Sequence, residues 1–83
     1  DDHEMRLALA RAWRDVGSLE TASEHYRVLI QADQYLDSIV SDLQTLTAGP
    51  AVNHLVWTLL GDAYMKQGRL SDAMNAYRRA LGR

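Results

Sequence analysis

Residues 54–83 read HLVWTLLGDAYMKQGRLSDAMNAYRRALGR. Apolar residues return at spacings of three and four on both sides of Gly68, the pattern of two amphipathic helices rather than of strands. Glycine accepts the left-handed backbone that closes a helix, so Gly68-Arg69 is the natural turn between them. The spacing predicts one helix from about Ala51 to Gln67 and another from Ser71 to Leu81, packed antiparallel across a short connection.

The same hairpin occurs earlier in the chain. A shift of 51 positions gives seven identities over residues 6–30: Leu9/Leu60, Ala12/Ala63, Gly17/Gly68, Leu19/Leu70, Ala22/Ala73, Tyr26/Tyr77 and Arg27/Arg78. Ala10/Gly61 and Trp13/Tyr64 are near matches. They fall where paired helices need them: glycine in the turn, small residues at the close crossing, aromatics beside it.

Working outward, a first helix is expected over His3–Val16, with Met5, Leu9, Ala12, Trp13 and Val16 as its apolar face and Gly17 as its stop. Ser18 is the expected N-cap of a second helix that buries Leu19, Ala22, Tyr26, Leu29 and Ile30. No Gly or Pro separates that helix from Tyr35, Leu36, Ile39, Val40, Leu43 and Leu46. An unbroken helix over both sets would be roughly 43 Å long, too long for a domain of this size. A break near Ala32-Asp33 is therefore expected, with Asp33 capping a third helix. Gly49-Pro50 ends that helix, because proline excludes the helical conformation from the residue before it. The chain reads as all-α, with about five helices in one domain over residues 1–83.

These residues resemble the tetratricopeptide repeat family. Trp57, Leu60, Gly61, Tyr64, Gly68, Ala73, Tyr77 and Ala80 meet its signature positions in the second hairpin. Leu9, Ala10, Trp13, Gly17, Ala22 and Tyr26 meet them in the first, where Arg6 and Leu29 depart from the pattern. The resemblance implies hairpins stacked as a short right-handed solenoid, with repeats at about 3–33 and 54–83. The family period is about 34 residues. The 51-residue spacing here makes the segment of about 34–53 an inserted helix and loop between the repeats.

Composition narrows the function. Hydrophobic residues make up 47% and charged residues 24%, as in a folded globular chain. The net charge of −2 gives no field for nucleic acid or an anionic membrane. No apolar run is long enough to span a bilayer, and no basic-then-apolar leader opens the sequence. The start at Asp1-Asp2 reads as a processed end or one cut from a longer protein. Cytoplasm is the expected compartment.

No cysteine is present, and His3, His25 and His54 stand apart from one another, so neither a metal nor another cofactor is expected. There is no nucleophile motif or phosphate loop, and carboxylates such as Asp37 and Asp42 read as solvated helix positions. The chain is therefore not expected to be an enzyme. Trp13, Tyr26, Trp57, Tyr64 and Tyr77 fall on packing positions and are expected in the core.

The resemblance implies a protein-interaction module whose partner, a peptide or protein surface, lies in a groove lined by the first helix of each repeat. Position by position, the binding residues are Leu7, Arg11 and Arg14 on the first helix and Leu55, Thr58, Leu59, Asp62 and Met65 on the fourth. The arginines suit an acidic group and the apolar residues suit anchors. The Lys and Asn that chaperone-binding members use to hold a C-terminal carboxylate are replaced here by Leu7, Arg11, Thr58 and Asp62. The competing role is structural: a homo-oligomer, or packing against further repeats of a parent chain, through end faces that include Met74 and Leu81.

Overall fold

The computed structural model describes residues 2–49 and 54–82. Among these residues there are five α-helices and no strand: α1 (Asp2–Asp15), α2 (Leu19–Gln31), α3 (Leu36–Thr47), α4 (His54–Lys66) and α5 (Leu70–Ala80). The all-α reading and the break between the second and third helices hold. The expected start of the fourth helix at Ala51, and Pro50 before it, lie outside the described residues.

Both hairpin turns close in the same way. After α1, the N–H of Gly17 donates to the Arg14 carbonyl (3.0 Å) and that of Ser18 to the Trp13 carbonyl (2.9 Å). After α4, Gly68 donates to Met65 (3.0 Å) and Arg69 to Tyr64 (2.9 Å). These paired bonds satisfy carbonyls that a helix end leaves open, and they need a left-handed residue at the turn. Gly17 and Gly68 supply it, with φ of 88° and 75°.

The end of α2 uses the same device without glycine. Asp33 donates to the Ile30 carbonyl and Gln34 to the Leu29 carbonyl, with Asp33 at φ 57°. Asp33 therefore terminates α2 instead of capping α3. Aspartate tolerates the left-handed region better than most residues, which lets it stand where the other turns have glycine. The residue before α3 is Tyr35, also at φ 57°, whose carbonyl accepts the first bond of that helix from Ile39 (2.9 Å). Ser18 departs from expectation as well. Its hydroxyl donates to Thr21 Oγ1 (3.2 Å), and it makes no side-chain cap to α2.

The helices pack in the order α1, α2, α4, α5. Among the described residues, α1 meets α2 alone and α5 meets α4 alone, so each outer helix has one helix neighbour at backbone level. Helix α3 lies against α4 and, more lightly, against α2. The core runs through all five helices and centres on Tyr26, Leu29, Ile39, Leu43, Val56 and Leu59.

The side of α1 that faces inward is not the apolar one. Leu7 and Ala10 are its buried residues, whereas Met5, Leu9, Ala12, Trp13 and Val16 are all exposed. Trp13 is thus not the core aromatic that its position suggests. Tyr26 and Tyr64 are buried, and Trp57 and Tyr77 are half-buried against the core.

Asp42, on α3, is also not solvated. Its side chain is 14% exposed and accepts a bond from Arg11 Nε (2.8 Å), one from Arg11 Nη2 (3.3 Å) and one from the Tyr26 hydroxyl (2.9 Å). Arg14 Nη1 adds an ion pair at 3.2 Å. One carboxylate thereby joins α1, α2 and α3. Asp37, by contrast, is exposed and accepts a bond from Gln67 Nε2 (2.7 Å).

Two consequences are measurable. Asp42→Ala takes their acceptor from the Arg11 guanidinium and the buried Tyr26 hydroxyl, and one of two carboxylate partners from Arg14, and is expected to cost about 1–3 kcal/mol in urea unfolding. Asp37→Ala, at an exposed site, should stay within about 0.5 kcal/mol of the parent; equal losses from the two would remove the special role of Asp42. A Cβ at Gly61 would stand 2.5 Å from Cε1 of the Tyr77 ring. Gly61→Val is therefore expected to destabilise by about 1–3 kcal/mol through overpacking, and an unchanged melting temperature would contradict this contact.

Candidate functional site

The eight residues expected to line one groove are divided between two parts of the fold. Leu7 and Leu59 are core residues, 7% and 1% exposed, and cannot meet a partner unless the core opens. Arg11 and Arg14 are turned toward α3, where Asp42 engages both. The hydrogen bond that Arg11 donates to Asp42 holds its guanidinium above its ordinary pKa against the opposing effect of burial. Arg14 also pairs with Asp15 at 3.0 Å. These arginines are occupied by an internal carboxylate, so the acidic ligand group they were expected to hold has a competitor already in place.

The remaining four residues lie along α4 at one-turn intervals. Leu55 and Thr58 are half-buried, Asp62 is half-buried and Met65 is exposed. Two shallow depressions share Arg27 and together make a furrow between α2 and α4. The first is lined by Glu20, Glu24 and Arg27 of α2 with His54 and Leu55 of α4. The second is lined by Arg27, Ile30 and Gln31 of α2, Asp62, Met65 and Lys66 of α4, and Tyr77 of α5. Thr58 stands between them in the sequence of α4, its hydroxyl donating to the His54 carbonyl one turn back (2.8 Å).

Local packing sets this arrangement. Gly61 lets the Tyr77 ring lie on α4, and the Tyr77 hydroxyl then donates to Asp62 Oδ1 at 2.6 Å. Burial, followed by that bond and the negative charge of Asp62, pushes the Tyr77 phenol up to about 12. Tyr26 is the equivalent residue of the first hairpin, and burial, together with Asp42, likewise holds its phenol well above the ordinary value. At the far end of the furrow Lys66 pairs with Asp33 at 3.7 Å, an exposed contact of little energetic weight.

The furrow presents two apolar side chains, Leu55 and Met65, among separated charges: Glu20 and Glu24 at one end, Arg27 between, Asp62 and Lys66 at the other. That is a surface for contact. Among the described residues, no group of three or more His, Cys, Asp or Glu side chains is placed to hold a metal ion. The α2 half of this surface has a sequence trace that the motif reading passed over. Glu20, Glu24, Arg27 and Gln31 recur at helical spacing opposite Ala22 and Tyr26.

Comparison with known proteins identifies the second hairpin. Residues 54–81, which hold α4, α5 and the turn between them, match the family model of the tetratricopeptide repeat. This identifies the second hairpin as a tetratricopeptide repeat. No curated protein and no solved structure matches the chain. No helix among the described residues is long and apolar enough to cross a membrane.

The two tyrosines predict a response to alkali. Both are held protonated beyond the free-phenol value of 10.0, so the stability they contribute is fully present below that pH and is lost as pH rises through the folded-state values. The melting temperature should hold level up to about pH 10 and fall above it. Tyr77→Phe should begin lower by about 1 kcal/mol, through loss of the Asp62 bond, and fall less steeply between about pH 10 and 12. An identical alkaline slope in the variant would contradict the Tyr77 shift.

Proposed function

We propose that this tetratricopeptide-repeat chain is a non-catalytic protein-interaction module that binds a peptide segment in the furrow between α2 and α4. Repeats of this family generally serve protein–protein contact, and the furrow is where that general role has a physical basis in this chain. The observation that carries the reading is the line of Leu55, Asp62 and Met65 along α4, facing polar residues of α2 across an open depression.

The chemistry of the lining defines the ligand. Leu55 and Met65 are about three helical turns apart on α4, a spacing that suits two apolar anchors on one segment. Glu20 and Glu24 favour a basic residue near the Leu55 end. Methionine is unbranched and adaptable, which suits a surface that accepts more than one sequence. Arg11 and Arg14 take a different role: they hold α3 through Asp42, and the ligand does not need an acidic group to satisfy them.

The reading is tested by panning a random peptide library on the immobilised chain. Enriched peptides should carry apolar residues accompanied by Lys or Arg, and Met65→Glu should weaken the best of them by about tenfold or more, since a charge replaces an apolar contact. Arg11→Ala should leave their affinity within about threefold, compared at a temperature where both variants are folded. Peptides that bind Met65→Glu as tightly as the parent, or that depend on Arg11, would overturn it.

A further inference from the structure

The two hairpins are copies, so a difference in their burial shows what each one lacks. On α4, Val56, Leu59, Leu60, Ala63 and Tyr64 are all buried, in the helix that meets α2 and α3. The bond from Gln44 Nε2 of α3 to the Tyr64 hydroxyl (2.8 Å) marks part of that cover. Fifty-one positions earlier stand Met5, Ala8, Leu9, Ala12 and Trp13, and every one of them is exposed. Met5 is 66% exposed, Leu9 43% and Trp13 41%. The apolar character of the face is retained on α1, but the helices that cover it on α4 have no counterpart there.

The second helices differ in the same way. Ser23, Tyr26 and Ile30 of α2 are buried within the stack. Their equivalents on α5 are Met74, Tyr77 and Leu81, of which Met74 is 55% and Leu81 71% exposed, next to Leu70 at 58%. Met74 replaces a serine, so the outward face of α5 is more apolar than the α2 face it copies. Thus α5 presents the α2-like side of an internal contact, and α1 presents the α4-like side.

We infer that these faces are the two halves of one interface, in which α1 of one molecule packs on α5 of a second copy and repeats between molecules the contact that α4 makes with α2 within one. A second copy of this chain supplies both halves, since α1 keeps the apolar positions of α4 and α5 keeps those of α2. Because the faces differ, the contact is head-to-tail, and each added copy leaves one face of each kind open; the assembly grows unless a ring closes. The inference does not depend on the furrow, since Leu55 and Met65 take no part in it.

Sedimentation equilibrium of the parent chain, up to about 1 mM to reach weak association, is the test, with Leu9→Glu and Met74→Glu as variants. Both sites are exposed, so the variants should keep the helical circular dichroism of the parent. The average mass of the parent should rise with concentration past that of a dimer, and each variant should lose association by about tenfold or more. An equimolar mixture of the variants should form one-to-one dimers that grow no further, because each supplies the face that the other lacks. A parent that stays monomeric throughout would overturn the proposal and assign the faces to another protein or another segment. Association that survives Met74→Glu, or a mixture that stays monomeric, would overturn the head-to-tail arrangement in favour of a symmetric one.

Discussion

The carboxylate of Asp42 accepts bonds from two arginines of α1 and from the hydroxyl of a core tyrosine on α2 while it rides on α3. At 14% exposure it is far enough from water for these charge-assisted bonds to carry weight, and Arg11 approaches it through two nitrogens. The group is costly to bury alone and well satisfied as placed. Its three helices are consequently fixed together. With α3 against α4, the first hairpin reaches the second partly through α3, and α1 has no direct backbone contact with α4.

That placement explains why the furrow between α2 and α4 differs from a groove lined by both first helices. Helix α3 draws Arg11 and Arg14 to its own carboxylate, so this side of α1 faces α3. The open side of α4 is the one where α2 supplies the opposite wall. The fold thus leaves a furrow whose walls are a second helix and a first helix, with the ring of Tyr77 and the Asp62 carboxylate at one end.

Much of this was legible in the sequence because it depends on local chemistry. Gly17 and Gly68 mark turns through a backbone conformation that few other residues adopt, and the 51-residue register carries one hairpin onto the other. The break at Ala32-Asp33 followed from length, although its detail did not: aspartate does at the end of α2 what glycine does elsewhere. The orientation of α1 was not legible. Periodicity reveals that Met5, Leu9, Ala12, Trp13 and Val16 share a face, but not which neighbour stands opposite, and the described chain places none there. Asp42 left no trace either. A lone acid on an amphipathic helix looks solvated, and the partners that bury it lie 16 and 31 residues away in sequence. Of the residues expected in a groove, Leu55, Asp62 and Met65 of α4 line the furrow while Leu59 of the same helix is in the core, and the fate of Arg11 and Arg14 depended on where α3 docks.

The integration of α3 into the stack is the claim on which the two-sided division of the surface rests, and amide hydrogen exchange resolved by residue tests it most directly. If α3 is fixed by Asp42 and by its packing on α4, the amides of Val40–Leu46 should exchange only through the opening that also exposes α2 and α4, with the same free energy. Exchange of those amides at nearly the rate of an unstructured chain, while α4 remains protected, would contradict the account and return Arg11 and Arg14 to an open groove.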